Sequence, residues 1–248
     1  MLAEKTIDKN IISQEIVDFI KNSNNRFDNI IKNPYEISIN LYNSNQKVFQ
    51  YFLKKIIEKT ITIVGLALIS PVLFITAAAI KLESEGPVFF KQKRIGQHGK
   101  EFYICKFRSM YKDSEKKAEE LQKYNQTNAL MFKMFDDPRI TKVGKFIRKY
   151  SIDELPQLFN VLKGEMSLVG FRPPLPSEVS KYKDLYYVRF AMMPGLTGPW
   201  QVSGRSKIKE FEDVVNLEYE YAKDWSLFKD MHILMKTIPV VLFGKDTA

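Results

Sequence analysis

One stretch limits this chain more than any other. Residues 61–80 read ITIVGLALISPVLFITAAAI and carry no charge. A helix of this length reaches roughly 30 Å, the thickness of a bilayer's hydrocarbon core, so the segment reads as a membrane helix. About half of it is Leu, Ile, Val or Phe, while the Thr, Ser, Gly and Pro between them weaken insertion. Pro71 lies in the middle, where it lacks an N–H and its ring crowds the carbonyl of Ala67. The hydroxyl of Ser70 is placed to satisfy a freed carbonyl. The predicted result is a helix break at Ser70-Pro71.

The flanks bear on topology. Lys54, Lys55 and Lys59 precede the segment, and Lys81, Lys91, Lys93 and Arg94 follow it. Positive charge marks the cytoplasmic side, and here it marks both ends. A re-entrant helix that enters, breaks at Pro71 and returns to the same face meets this pattern. A kinked single span and a buried core helix are the alternatives. Net charge is +9, so an anionic partner is expected: anionic lipid, a phosphorylated substrate or nucleic acid. The single cysteine, Cys105, excludes an intrachain disulfide and a multi-Cys metal site, and fits a reducing compartment. The first residues, MLAEKTIDKN, are polar and read as no secretory signal.

Three parts follow from this. Residues 1–46 form an accessory segment, with an amphipathic helix expected over Thr6–Ile20 and a linker after it; residues 47–84 hold the membrane helix; residues 85–248 carry the remaining domain. That domain opens on PVFFKQKRIGQHGKEFYICKFRSM, which reads as a small β-hairpin. Its strands lie around Phe89 and Phe102–Lys106, its turn at Gln97-His98-Gly99, and it bears Lys91, Lys93, Arg94, Lys106 and Arg108. Asp113–Tyr124 reads as a charged, solvated helix. Ile140, Val143, Phe146 and Ile147 recur at helical spacing among Lys142, Lys145, Arg148 and Lys149, a basic amphipathic helix suited to a membrane surface. Further helices are expected over Ser177–Phe190, Phe211–Lys223 and Trp225–Phe243. A loop over Met192–Ser206 brings Gly204-Arg205 within reach of a phosphate or sugar. The fold class is α+β, mostly helical.

The chemistry concentrates in Tyr150–Pro176, YSIDELPQLFNVLKGEMSLVGFRPPLP. Ser151-x-x-Glu154 has the form of a capping box, with Tyr150 and Leu155 as its hydrophobic staple. Pro156 is tolerable only near a helix start, so Asp153 and Glu154 lie in a first turn. Such carboxylates serve as helix caps. In the same place they can act as nucleophile or as oxygen ligands to Mg²⁺. Leu158, Phe159, Val161 and Leu162 carry the helix to a C-cap at Lys163-Gly164, and Met166–Val169 reads as a short strand. In Phe171-Arg172-Pro173-Pro174 an arginine stands on stiff, extended backbone, suited to bidentate phosphate binding.

KFRSM, DPRITKVGKFIRKYSIDELPQLFNVLKGEMSLVGFRPPLPSE and PGLTGPWQVSGRS, in that order after a Pro-broken apolar helix, resemble the bacterial sugar transferases. These are monotopic polyprenyl-phosphate phosphoglycosyl transferases that start capsule, exopolysaccharide and glycan assembly. The resemblance covers about residues 50–243. It implies a bacterial inner-membrane enzyme with a re-entrant helix, an active site at the cytoplasmic leaflet, and Mg²⁺. It implies transfer of a sugar-1-phosphate from a UDP-sugar to undecaprenyl phosphate with release of UMP, glucose or galactose being favoured. Carried over, Asp153 is the nucleophile of a covalent aspartyl intermediate, and Glu154 completes the dyad and its metal or proton handling. Arg172, Lys106 and Arg108 bind phosphate, and Ser70-Pro71 is the helix break. Phe171 stands where the family has proline, and the several N-terminal spans of larger members are not seen ahead of the apolar helix. A homodimer is compatible with the pattern and a nucleic-acid partner is not expected. The alternatives are a non-catalytic basic membrane-surface scaffold and a soluble nucleic-acid binder.

Overall fold

In the computed structural model, residues 45–112, 114, 137–182, 184–204, 208 and 210–243 are described. The helix expected over Thr6–Ile20, nearly all of the charged helix Asp113–Tyr124, and Arg205 lie outside the described residues. The architecture is mostly helical with two small two-stranded sheets.

The longest element is α1, Asn45–Glu83, a 39-residue helix with Pro71 inside it. Helical structure runs through the proline, and the Ser70 hydroxyl donates to the Ala67 carbonyl at 2.8 Å, the group that Pro71 leaves without its N–H partner. One stripe of α1, from Tyr51 and Glu58 through Leu66 and Leu73 to Ile80, packs on the rest of the chain. The opposite side is bare and apolar, with Leu68 75% and Phe74 77% exposed.

Both ends of α1 are anchored. Near its start, Lys54 and Glu58 are buried, not lipid-flanking as the sequence suggests for Lys54. Lys54 Nζ lies 2.8 Å from Asp230 and donates to the Val169 carbonyl at 2.8 Å. Glu58 accepts from the Ser167 hydroxyl at 2.6 Å and from the Leu168 N–H at 3.0 Å. At the far end Ile80 joins Phe107 and Ile147 in a core cluster. The Glu83 carboxylate accepts from the N–H groups of Lys142 and Val143 at 2.7 and 3.0 Å, which places a negative charge on the N-terminus of α2, Lys142–Lys149. Thr141 caps the same helix through Gly144.

The hairpin forms as its sequence predicts: β1, Phe89–Ile95, pairs antiparallel with β2, Glu101–Phe107, around a turn at Gln97–Gly99. Opposite residues in an antiparallel pair share a face. Arg94↔Phe102, Gln92↔Ile104 and Phe90↔Lys106 therefore put Arg94 and Lys106 on one side, while Lys91 and Lys93 point to solvent on the other.

A 3-10 helix, Ile152–Gln157, leads into α3, Leu158–Lys163, closed by Gly164 in the left-handed conformation (φ 77°). Strand β3, Ser167–Val169, pairs parallel with β4, Gly195–Thr197, inside the segment read as loop. The helix expected over Ser177–Phe190 is divided into α4, Pro176–Val179, and a 3-10 helix, Asp184–Phe190. Here aromatic packing of Tyr182 and Tyr186 around Phe211 overrides helical periodicity. The described residues close with α5, Pro199–Val202, α6, Phe211–Lys223, and α7, Leu227–Phe243.

Candidate active site

Asp153 and Glu154 lie in the first turn of the 3-10 helix, but the capping box is not formed. Ser151 is left-handed (φ 54°, ψ 22°), whereas a capping residue needs extended backbone, and its side chain makes no cap hydrogen bond. Its carbonyl accepts the Glu154 N–H at 3.1 Å, and its N–H donates to the Arg148 carbonyl at 3.1 Å. The Glu154 carboxylate instead pairs with Lys106 Nζ at 2.7 Å. Strand β2 is fixed against α3 by Asn160, which accepts from the Cys105 N–H at 3.0 Å and donates to the Tyr103 carbonyl at 2.8 Å. Lys106 is therefore presented to the carboxylates by a strand locked at the residue before it.

Asp153 is raised from its ordinary value of 3.8 to about 6, first by burial and then by the Glu154 charge; Lys106 and Arg148 oppose the shift. Arg148, on α2, thus stands among the charges that act on Asp153.

A cleft of about 420 Å³, open to solvent, lies beside the pair and is lined by Lys106, Glu154, Arg94, Arg172, Trp200 and Gln201 among others. Asp153 stands next to Glu154 and is not part of that lining. Arg94 is buried, donating to the Pro173 carbonyl at 3.0 Å and to Gln92 at 2.7 Å. Burial and the charge of Arg172 hold it down to about 10. Arg172 lies over the Trp200 ring, 5.7 Å from its centroid. Three side chains that line this cleft each keep one buried polar atom without a protein partner: Arg94 Nε, Trp200 Nε1 and Gln201 Oε1. Buried orphan groups of this kind call for a ligand or water. Cations with free donors, beside an indole N–H and an amide oxygen, suit a phosphate ester that also carries hydroxyl groups.

Phe171 does not loosen Arg172. Its ring is 2% exposed and meets Tyr221 edge-on. Every carbonyl of the following segment is engaged: Phe171 accepts from Gly195 at 2.8 Å, Arg172 from Arg189 at 3.0 Å, Pro173 from Arg94 at 3.0 Å and Pro174 from Ile95 at 3.0 Å.

Two expected residues are placed elsewhere. Arg108 does not line the cleft: its guanidinium is buried against the end of α1, donating to the Ser84 carbonyl at 2.7 Å, to the Ser84 hydroxyl at 3.0 Å and to the Glu85 carbonyl. The last carbonyls of a helix need such donors. Gly86 makes room, since a Cβ there would lie 2.1 Å from Arg108 Nη1 and its φ is +119°. Gly204 (φ 85°) follows α5 and does not line the cleft. Arg94, Arg148, Trp200 and Gln201 are the residues that the sequence reading did not single out for the site. The strand register is the signal that groups Arg94 with Lys106.

A helix with one bare apolar face, packed on an α+β unit whose cleft gathers cations around paired carboxylates, defines the class: a membrane-suited protein with an anion-receptive, carboxylate-bearing site. Residues 49–244 match the family model for bacterial sugar transferases, and the chain belongs to that family. It is 45% identical over 203 residues to the galactosyl transferase CpsE of Streptococcus agalactiae, covering 81% of this chain and 45% of that protein. It is 40% identical over 208 residues to the undecaprenyl-phosphate galactose phosphotransferase of Salmonella typhimurium, covering 82% and 43%. With the exopolysaccharide production protein ExoY of Rhizobium meliloti it shares 39% identity over 189 residues, covering 74% and 83%. The chain thus spans less than half the length of the first two relatives.

Proposed function

We propose that this chain transfers a hexose-1-phosphate from a UDP-sugar to undecaprenyl phosphate, releasing UMP, through a covalent aspartyl sugar-phosphate intermediate. The observation that carries this reading is the Asp153–Glu154 pair beside a cleft whose lining includes Lys106, Arg94 and Arg172. Family membership and relatives named as polyprenyl-phosphate sugar transferases support it.

In the first step a carboxylate oxygen of Asp153 attacks the sugar-linked phosphorus of the UDP-sugar. The phosphoanhydride bond breaks and UMP leaves with the bridging oxygen. In the second step an oxygen of undecaprenyl phosphate attacks the same phosphorus, the acyl-phosphate bond breaks, and Asp153 returns as carboxylate. Both substrates thus use one nucleophile in turn. Arg94 and Arg172 bind and orient the diphosphate. Lys106 neutralises Glu154, so that charge repulsion does not block approach of the donor. Arg148 favours the ionised state of Asp153 against the cost of burial.

Mg²⁺ fits this donor set. Two adjacent carboxylates, one of them raised by burial and then by the charge of the other, are a pair that a cation would discharge, and magnesium needs only one or two carboxylates alongside phosphate oxygens and water. Asp153 and Glu154 would hold it, and when bound it would offset the charge on the phosphates. Chelation by EDTA should abolish UMP release and added Mg²⁺ should restore it.

The site faces the cytoplasmic leaflet, and α1 is re-entrant. Anchoring of both ends of α1 in one folded body supports this, because a through-span would set those ends on opposite sides. The Ser70–Ala67 hydrogen bond supports it too, as it makes the proline tolerable in lipid. The test is UMP release from a panel of UDP-sugars by wild type and Asp153→Asn. UDP-glucose or UDP-galactose is expected to be turned over, and the variant to lose at least about 10³-fold. Vesicle binding with no UMP from any donor would instead mark a basic membrane scaffold.

A further inference from the structure

Arg172 is held through a buried ion pair that does not line the cleft described above. Arg189 and Glu218 form a buried ion pair, with Arg189 Nε donating to Glu218 Oε2 at 2.5 Å and Nη2 to Oε1 at 3.1 Å. The same Nη2 donates to the Arg172 carbonyl at 3.0 Å. Nη1 reaches the Tyr182 hydroxyl at 2.5 Å. The Arg172 carbonyl thus ends on this ion pair.

We infer that Arg189 and Glu218 are positioning residues for Arg172, fixing its backbone so that its guanidinium stands over Trp200 at the cleft. This rests on the reading of Arg172 as a phosphate ligand. The chemistry of the segment explains why an ion pair is used. Arg172 is followed by two prolines, which have no N–H, so the chain cannot continue as a strand ladder there. Without Arg189 its carbonyl would lose this partner, and burial of unpaired backbone groups is costly. The planar guanidinium fork meets a carboxylate and a carbonyl at once, which an ammonium on a flexible stem does not. Glu218, left without Arg189, would be an uncompensated buried charge.

The test is a double-mutant cycle on the full chain in detergent, read as UDP affinity by calorimetry, with thermal unfolding as control for fold. Arg189→Lys should weaken UDP binding at least about fivefold when Arg172 is present, and less than about twofold when Arg172→Ala is also present. Glu218→Gln, which keeps the side-chain volume, is run beside it and should show the same dependence on Arg172. Equal losses in both backgrounds, or no loss in either, would overturn the inference. Unchanged UDP affinity in Arg172→Ala would overturn it as well, since nothing would remain to be positioned. A chain that shows the coupled pattern but releases no UMP from any UDP-sugar removes the proposed function and leaves the positioning role standing.

Discussion

Asp153 is held where ionisation is costly, and that has two measurable consequences. Its folded value of about 6 lies above its ordinary 3.8, so between these values the folded chain binds more protons than the unfolded one and stability falls as pH rises. Asp153→Asn should therefore stabilise the fold at pH 7.5, by on the order of 1 kcal/mol for a group only partly withdrawn from solvent, and give little gain at pH 4. Denaturant unfolding at the two pH values checks this. The reaction needs the ionised carboxylate, so UMP release should rise with pH through about 6 and then level off. Arg94→Lys keeps the charge but loses the fork; it should raise KM for the UDP-sugar by about tenfold with a smaller change in kcat. Steady-state kinetics on that variant decide whether Arg94 holds the donor. At this scale the placement of Asp153 and Glu154 in one first turn was legible from Pro156, and the extended backbone at Arg172 from the two prolines after it; their roles belong to the proposed function. Arg94 was hidden among neighbouring lysines. Its charge says nothing of the strand face, and the face decides burial.

Elements whose order depends on local pattern were readable as well. The hairpin shows alternation and a Gly turn, and α3 shows helical spacing and a Gly164 cap, and both form at the expected places. Elements that depend on distant partners were not. Strand β4 is three residues long and exists only by pairing with β3, so nothing within Met192–Ser206 announces it. Ser151-x-x-Glu154 shows the converse: the motif is present, but a cross-element pair with Lys106 takes the glutamate away from the cap. Asn160 is the tie that holds β2 to α3, so Asn160→Ala should cost about 2 kcal/mol of stability through lost and orphaned hydrogen bonds. Thermal unfolding measures it, and an unchanged midpoint would remove Asn160 from the scaffold of the site. For α1, Lys55→Cys and Lys91→Cys in a Cys105→Ser background should both react with an impermeant thiol reagent only from the cytoplasmic side. Labelling of either from outside would contradict the re-entrant helix.

On the scale of the whole molecule, the apolar helix and the site are one body. Lys54, read from the sequence as a charge at a membrane flank, is buried between Asp230 and the Val169 carbonyl. Glu58, one turn on, takes two backbone N–H groups of the same strand. That strand runs directly into Phe171 and Arg172, so the grip of α1 on β3 reaches the cleft. Lys54→Met would leave buried carboxylates without their cation and should cost about 3–5 kcal/mol, seen as a lowered unfolding midpoint in detergent. No sequence rule distinguishes a lysine facing lipid headgroups from one completing a core network, because tertiary burial makes the difference. The proposed covalent intermediate remains the point on which the rest of the mechanism depends. Incubation of the chain with UDP-galactose or UDP-glucose and Mg²⁺, without undecaprenyl phosphate, followed by peptide mass spectrometry, tests it directly. The prediction is a peptide carrying one added hexose phosphate on Asp153, formed with release of UMP and absent in Asp153→Asn. UMP release that requires the lipid acceptor and leaves no adduct on Asp153 would contradict it.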